Sequence, residues 1–243
     1  MNIRWHIHEV PEADSTNDLA RSFPAWTVVR CIEQKRGRGR FNRAWFGHKG
    51  GLWATYNVAI DPRSRADWGM LPLVAGLALV RSLELLGVDG ARLRWPNDLL
   101  IDSSKLAGIL VEKPAHDLAC IGIGVNMMNP MEALHSKTTD RPTRLADHVS
   151  PCPSVEEFTL QLADALADTY ARFAAEGLRG LMPELDRAWK VRLPVAVETD
   201  AATFRGIFEG ITEQGSPVLR LGNGTRREIA AHMINRLREL ESI

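Results

Sequence analysis

The sequence contains few cysteines, and their spacing suits neither a metal site nor a disulfide framework. Cys31, Cys120 and Cys152 are the only three in 243 residues, and they lie far apart. An odd number of widely spaced thiols argues against a secreted, disulfide-stabilised domain and favours the cytoplasm. The seven histidines are equally scattered. We therefore expect no histidine or cysteine metal site.

Signals for export or membrane insertion are also missing. Residues 1–10 have no apolar core of the kind that a signal peptide needs. The most apolar run, residues 71–86, is interrupted by Pro72, Arg81 and Glu84, so it is too short and too charged to span a bilayer. We expect a cytoplasmic protein with no membrane partner.

The chain has no excess of either charge, because Lys plus Arg and Asp plus Glu both number 30. A protein that binds nucleic acid through its phosphates is usually more basic than this, so we expect no nucleic-acid partner. Positive charge is nevertheless concentrated in residues 33–46, EQKRGRGRFNRAWF. No acid follows Glu33 in this cationic segment. Its five cations are Lys35, Arg36, Arg38, Arg40 and Arg43.

Hydrophobic periodicity predicts an α+β fold. A capping box formed by Ser154 and Glu157 begins a long helix, and a second helix is expected to run to about Val191. Ser15 or Thr16 is expected to cap a short helix, and Gly87 to close another. Residues 129–153, with four prolines, have no clear period and are interpreted as a loop. Strands are predicted at 3–10, 27–32, 51–60, 91–95, 99–101, 105–112 and 118–127, and helices at 14–23 and 70–86.

The last fifty residues change character and predict a small barrel. Short strands at 193–199, 203–211, 217–221 and 226–231 are separated by turn residues. We therefore expect two domains, a catalytic domain at 1–191 and a β-domain at 192–243. Because the candidate site motifs all precede residue 130, the β-domain is expected to lie apart from the site.

The cationic segment has the composition of an anion clamp. Gly37 and Gly39 allow close approach of the backbone and can expose amides to an anion. Arg38 and Arg40 supply planar guanidinium groups, which can form two parallel hydrogen bonds with a phosphate or carboxylate. The segment is not a Walker loop, because no GK[ST] follows and no helix is predicted to begin there. Taken alone, such a segment is more often an exposed basic loop, and RNA-binding loops have the same composition.

Three other stretches carry polar residues in suggestive positions. DSTND (14–18) offers hydroxyls and an amide at a helix start, and GIGVNM (122–127) places Asn126 after a buried strand. RWPNDLLIDSSKLAGILVE (94–112) sets Asn97 and Asp98 in a turn before a strand that begins at Lys105. Each stretch alone also has an ordinary interpretation as a cap, a turn or a solvated strand lysine.

Together, and in this order, the motifs resemble those of the biotin protein ligases, the biotin–acetyl-CoA-carboxylase ligases. The resemblance covers nearly the whole chain: DSTN, Q..GRGR..R.W, RWPND, KLAGIL.E, G.G.N and a small β-domain. It implies a mixed-sheet catalytic domain followed by an SH3-like barrel. It also implies the shorter form of the family, without an N-terminal DNA-binding domain, since the catalytic pattern starts at residue 1.

The implied reaction has two steps. The biotin carboxylate attacks the α-phosphate of ATP, and a lysine of the biotin carboxyl carrier protein then attacks biotinyl-5'-AMP and releases AMP. ATP and Mg²⁺ enter as the substrate complex, with no tightly bound prosthetic group. A homodimer formed through a sheet edge is compatible with the resemblance.

The resemblance also assigns the candidate site residues. Lys105 and Arg40 are implied to be catalytic, and Mg²⁺ to lie near Asp98 without an assigned ligand set. Biotin is implied to contact Ser15, Thr16, Asn17, Gln34, Arg38, Gly39, Arg40 and Lys105. ATP or the adenylate is implied to contact Gly37, Arg38, Arg40, Trp45, Asn97, Asp98, Gly108 and Asn126.

This chain departs from the family pattern at several positions. Lys35 and Arg36 replace smaller or less polar residues, Arg94 replaces lysine, and Asn42 replaces a glycine, although asparagine tolerates a left-handed backbone. Two other functions stay open at this stage. One is a lipoate ligase or octanoyltransferase, which shares the lysine strand; the other is a non-catalytic RNA binder.

Overall fold

The computed structural model describes residues 3–61, 67–131, 141–189 and 192–240. The larger of two sheets is mixed, because β1 pairs with β2 in parallel and the other neighbours are antiparallel. Its strand order is β1-β2-β4-β8-β7-β6-β5, and β3 pairs with β2 off this path. The strands are β1 (His6–Ala13), β2 (Thr27–Arg38), β3 (Ala44–Gly47), β4 (Leu52–Ala59), β5 (Ala91–Arg94), β6 (Asp98–Ile101), β7 (Ser104–Ala115) and β8 (Leu118–Val125).

Two long helices cover one face of this sheet. The helices are α1 (Thr16–Ala20), α2 (Leu71–Leu85), α3 (Val155–Glu176) and α4 (Met182–Ala188). Residues Trp68–Leu85 are long and apolar enough to cross a membrane by length and composition, but 67% of this window is buried inside the fold, as in a core helix. The predicted capping box is confirmed: Ser154 Oγ accepts from the Glu157 amide at 3.1 Å, and Glu157 Oε2 accepts from the Ser154 amide at 2.8 Å. Short 3-10 turns lie at Arg40–Asn42, Trp68–Met70, Leu145–Asp147, Gly177–Leu181 and Ala231–Met233.

The two faces of the larger sheet differ in chemistry. Successive strand residues point to opposite faces. Tyr56 and Ile121 therefore enter the main core under α2 and α3, whereas their neighbours Thr55 and Gly122 face the other way. On that second face α1 covers only part of the sheet, and the rest is left open for a ligand.

The second sheet is antiparallel and consistent with a small SH3-like barrel. Its strand order is β12-β11-β10-β9-β13. The sequence predicts its first four strands but not the last. The predicted domain boundary at 191 and the predicted helix end near Val191 lie outside the described residues, as do residues 132–140 of the predicted loop. The strands are β9 (Leu193–Thr199), β10 (Thr203–Ile211), β11 (Pro217–Leu221), β12 (Arg226–Glu228) and β13 (Ile234–Glu239).

The expectation that the β-domain lies apart from the site is wrong. Trp95 Nε1 donates to the Gly215 carbonyl at 3.0 Å, and the Arg92 guanidinium binds both carboxylate oxygens of Glu239 at 2.5 and 2.7 Å. One hydrophobic core runs through both sheets. Arg92 and Trp95 carry polar groups that need partners when buried, and the second sheet provides them.

The cationic segment is also more ordered than a free loop. β2 continues through Arg38, and acidic side chains neutralise the first cations. Lys35 Nζ lies 3.1 Å from Glu12 and 3.2 Å from Glu33, while Arg36 lies 3.8 Å from Asp14. The acids come from β1, the loop that follows it and β2 itself, so local repulsion does not prevent strand formation here.

Candidate active site

A cavity of about 1150 Å³ opens on the polar face of the larger sheet. The cationic segment, β7, β8 and β13 contribute to its walls, so both sheets enclose it. Every site residue predicted from the sequence lines this cavity except Gly37. Gly37 is buried in β2, where a side chain would lie 2.6 Å from the Trp45 carbonyl and would collide with the Gln34 amide. It therefore makes room for Gln34 instead of facing a ligand.

One end of the cavity is a buried polar network. The amide and hydroxyl of Thr16 donate to Gln34 Oε1 at 2.9 and 3.2 Å. The Thr55 hydroxyl lies 2.9 Å from Thr16 Oγ1 and 2.7 Å from Asn17 Oδ1. Asn17 Nδ2 donates to Glu112 Oε2 at 2.9 Å. The network can therefore present both donors and acceptors to a small polar head group.

Ser15 lines the same end but does not act as the sequence predicts. It occupies the N-cap position of α1, yet its side chain makes no capping hydrogen bond. The residue is nevertheless buried. Its hydroxyl is thus placed at the cavity wall without a capping role.

The middle of the cavity has a floor without side chains. Gly108 of β7 and Gly124 of β8 are paired directly, and Gly122 faces the same side two residues earlier. These three residues are called the glycine floor below. The Asn17 amide packs against Gly122, and the Trp45 indole lies over Gly108 and Gly124. A flat ring can rest on the Gly108–Gly124 pair, because neither residue carries a side chain.

The other end of the cavity is cationic. Lys105 Nζ lies 2.6 Å from Asp98 Oδ1, and Arg94 Nη2 lies 2.6 Å from Asp98 Oδ2. The Lys105 ammonium is also 5.4 Å from the centre of the Trp45 indole. One carboxylate therefore holds two cations beside the floor, and an incoming anion would meet both.

The two asparagines predicted to contact the nucleotide line the cavity, but their side-chain amides form hydrogen bonds with the protein. Asn97 Nδ2 donates to the Ile109 carbonyl at 2.8 Å. Asn126 Nδ2 donates to the Thr143 carbonyl at 3.1 Å and its Oδ1 accepts from Asn129 at 3.2 Å. These contacts fix the backbone beside Lys105, whose own amide and carbonyl bind residues 141 and 143. Direct nucleotide contact by either asparagine stays a prediction.

Arg38 lies at the cavity edge and is already paired. Its guanidinium binds both oxygens of Asp18 at 2.6 and 2.8 Å and lies 3.7 Å from Glu112. The hydrogen bonds with Asp18 raise the pKa of Arg38 and lower the pKa of Asp18. This clasp attaches the end of β2 to α1.

Arg40 and Arg43 differ from the cations before them. Neither makes a salt bridge within the described residues, and they flank the exposed ring of Phe41 at 5.1 and 5.8 Å from its centre. Burial lowers the pKa of Arg40, against the opposing charge of Asp98. A partly buried guanidinium that lacks a carboxylate is suited to an anionic ligand.

The turn that carries these arginines does not offer glycine amides to an anion. Gly39 donates its amide to the Arg43 carbonyl at 2.7 Å, so that amide is occupied. The left-handed positions are Phe41 and Asn42, with φ of 57° and 55°. The expectation that Asn42 takes a left-handed backbone is thus confirmed.

Sequence reasoning misses part of the site. Thr55 and Glu112 complete the polar network, and Gly122 and Gly124 form most of the floor. The alternation Gly-Ile-Gly-Val at 122–125 is a usable signal, because it places every second residue without a side chain on one face. Further cavity arginines lie outside the recognised motifs and have no local signal: Arg92, Arg141, Arg236 and Arg238.

Comparisons with known proteins show which family the chain belongs to. Residues 13–127 match the model of the biotin/lipoate A/B protein ligase family. The chain is 34% identical over 238 residues to a biotin–[acetyl-CoA-carboxylase] ligase of Paracoccus denitrificans, covering 90% of this chain and 95% of that protein. The chain belongs to the biotin protein ligase family.

Other members of this biotin ligase family extend the comparison. The bifunctional ligase/repressor BirA of Escherichia coli is 31% identical over 86% of this chain and 68% of its own length. Among solved structures, a biotin protein ligase of Aquifex aeolicus in complex with biotin and ATP superimposes with a TM-score of 0.84. The two are 24% identical, and the match covers 96% of this chain and 99% of that chain. At this identity the superposition supports the fold.

The biotin ligase fold of this chain shows no resident metal site in its described part. No group of three His, Cys, Asp or Glu side chains there could hold a metal ion. The two cavity carboxylates, Asp98 and Glu239, are each paired with arginine, and Asp98 also with lysine. Burial raises the pKa of Cys31 to about 12 and that of Cys120 to about 11, so neither thiol is a nucleophile at neutral pH.

Proposed function

We propose that this protein is an ATP-dependent biotin protein ligase. It forms biotinyl-5'-AMP from biotin and ATP and transfers biotin to a lysine of the biotin carboxyl carrier protein of acetyl-CoA carboxylase. The observation that carries the proposal is the layout of the cavity. A polar network and the Lys105 ammonium lie at opposite ends of a floor without side chains. That layout suits a ligand with a polar ring at one end and a carboxylate at the other.

The polar network is proposed to bind the ureido ring of biotin. A ureido group has one carbonyl acceptor and two N–H donors. The Thr16 and Ser15 hydroxyls and the Gln34 amide can donate to the carbonyl or accept from the N–H groups. Because the network is buried, an analogue that lacks one of these groups leaves a buried partner unsatisfied. This supports discrimination of biotin from acids without a polar ring.

The first step joins two anions, so it needs fixed positive charge. Lys105 is proposed to hold the biotin carboxylate beside the α-phosphate, while Asp98 and Arg94 keep its ammonium in position. Arg40 is proposed to bind the phosphate, since it has a guanidinium without a carboxylate in the described chain. ATP enters as its magnesium complex. The carboxylate oxygen bonds to the α-phosphorus, and pyrophosphate leaves.

The second step needs a mixed anhydride protected from water. The turn at 39–43 is proposed to cover it, with Arg40 and Arg43 turning toward the adenylate phosphate. The neutral amine of the carrier lysine attacks the biotinyl carbonyl, the anhydride bond breaks, and AMP leaves. The carrier protein is therefore the macromolecular partner. We propose that the reaction takes place in the cytoplasm without nucleic acid, and that a homodimer forms through a sheet edge.

A carrier-labelling assay tests this function. The protein is incubated with biotin, ATP, magnesium and a biotin carboxyl carrier domain, and the carrier is weighed by mass spectrometry. We expect one biotinyl group on one lysine in the complete mixture, and a carrier of unchanged mass when ATP is omitted. A parallel arm with lipoate and a lipoyl carrier domain tests the related function. Labelling by lipoate and not by biotin would overturn the proposal.

A further inference from the structure

Trp45 occupies the glycine floor in the structure. Its strand, β3, pairs with β2 beside the main sheet, and the indole reaches from there onto β7 and β8. A side-chain carbon built on Gly108 would lie 2.8 Å from Trp45 Cζ3, and one built on Gly124 would lie 2.5 Å from Trp45 Nε1. The indole is therefore in direct contact with both strands, and no second ring fits beneath it.

The indole N–H of Trp45 is not stabilised by a hydrogen bond in the described part of the chain. Nε1 is buried and has no hydrogen-bond partner within the part of the chain that the structure describes. Trp189 Nε1 shares this lack of a partner in the described chain, whereas the N–H groups of Trp5, Trp53 and Trp95 each donate to a backbone carbonyl. A buried N–H without an acceptor has lost its bonds to water, and it regains them when the ring moves out. Ring contacts with the floor, with Trp53 and with Lys105 hold Trp45 in place.

The route between the two ends of the cavity crosses the same space. At one end the Asn17 amide packs against Gly122, and at the other the Lys105 Cε lies 3.6 Å from a side-chain carbon built on Gly108. A ligand that joins the polar network to Lys105 must therefore lie over Gly108 and Gly124. The Trp45 indole already fills that position.

We infer that Trp45 is a gate that closes the biotin site in the free protein. Biotin enters only after the indole swings off the glycine floor. This inference rests on the proposed function, since it takes biotin as the ligand. The outward movement also removes the cation–π contact with Lys105, so a carboxylate can approach the ammonium from the side that the indole occupied, while Asp98 still holds it. The rate of gate opening then limits the rate of biotin binding.

The rate of biotin uptake tests the gate. The full chain is mixed rapidly with radiolabelled biotin, and bound label is collected on filters, a readout independent of tryptophan fluorescence. In the wild type, the observed rate should reach a plateau as biotin rises, because opening becomes limiting. In Trp45→Ala the rate should rise linearly and exceed that plateau by about tenfold or more, since the closed population is removed.

Two further variants make the result decisive. Trp68→Ala removes a half-exposed tryptophan that lies over Lys113 outside the cavity, and it should keep the wild-type plateau. Trp45→Leu keeps an apolar side chain at the site and should also raise the plateau, which covers the case that Trp45→Ala fails to fold. A linear wild-type rate, or an unchanged plateau in both Trp45 variants, would overturn the gate alone. Absence of biotin binding by the wild type would contradict the proposed function as well.

Discussion

The Lys105 ammonium and the Asp98 carboxylate lie 2.6 Å apart, across neighbouring strands β7 and β6. Asp98 also binds Arg94, so it keeps a cationic partner if Lys105 is removed. Lys105→Ala should therefore stay folded but lose adenylate formation. Loss of one fixed electrostatic stabiliser raises a barrier by about 3–4 kcal/mol, or roughly a hundredfold or more in rate.

Pyrophosphate release measures this effect directly. Lys113→Ala is the matched control, because Lys113 lies on the same strand but outside the cavity. The control should keep wild-type activity. Near-normal pyrophosphate release by a folded Lys105→Ala protein would remove Lys105 from the chemistry.

The cationic segment should respond to ligand in two separate halves. Lys35, Arg36 and Arg38 lie in β2 and pair with acidic side chains. Arg40 and Arg43 lie in a turn and have no such partners in the described chain. Trypsin should therefore cut the free protein after Arg40 or Arg43 before it cuts within β2. Biotin with magnesium-ATP should protect both sites, because the adenylate supplies an anion for them. ATP alone should protect much less.

Mass spectrometry of the first tryptic fragments distinguishes the two halves. Equal cleavage rates with and without the adenylate would show that the turn does not close over it. Early cleavage after Lys35 or Arg36 would contradict the division of the segment.

The Asp18–Arg38 clasp should contribute to acid stability. Arg38 lowers the pKa of Asp18, so its contribution is present above the unfolded pKa and is lost as pH falls through the folded one. The Asp18 side chain is 42% exposed, so solvent screening limits the effect to below about 1 kcal/mol. As the pH falls from about 6 to about 3, the free energy of unfolding should therefore decrease less in Asp18→Asn than in the wild type.

Urea unfolding at several pH values measures this difference. Asp89→Asn serves as the control, since Asp89 is exposed and makes no salt bridge in the described ranges. Parallel pH profiles for the wild type and Asp18→Asn would show that the clasp has no linkage to folding.

The Arg92–Glu239 pair should stabilise the contact between the two sheets. Arg92 is buried, so Glu239→Gln leaves a guanidinium without its counter-charge. We expect a loss of about 2–3 kcal/mol in the free energy of unfolding, less than for a fully buried pair because Glu239 is partly exposed. Glu198→Gln, which breaks an exposed pair with Arg238, should cost less than about 1 kcal/mol. Equal losses in the two variants would contradict this difference.

Local sequence signals predict most of the elements, and the motifs that carry the family resemblance contain most of the predicted residues that line the cavity. Ser154 and Glu157 form the predicted capping box, and Lys105 begins a strand beside Asp98, because both features depend on residues close in sequence. The contribution of the second sheet could not be predicted in this way. Arg92 and Glu239 are 147 residues apart, and neither side chain shows by its type which partner it takes.

Non-local contacts also explain why the sequence predicted repulsion in the cationic segment. Its charge density predicts repulsion, but Glu12 and Asp14, which neutralise Lys35 and Arg36, come from the end of β1 and the loop that follows it. Parallel pairing of β1 with β2 brings them together, and no local pattern reveals that pairing. The position of the Trp45 indole is equally non-local, since it depends on glycines of two other strands.

The place of β13 in the cavity wall has a consequence for how the protein is made. Residues 235–240 line the site together with residues near the start of the chain, such as Ser15 and Thr16. The cavity can therefore form only after the residues up to Leu240 have been synthesised and have left the ribosome. In a nascent chain that ends before β13, Arg92 of the larger sheet lacks its partner Glu239. One wall of the cavity is also missing. A ligand thus meets a complete cavity only after residues 235–240 have been synthesised.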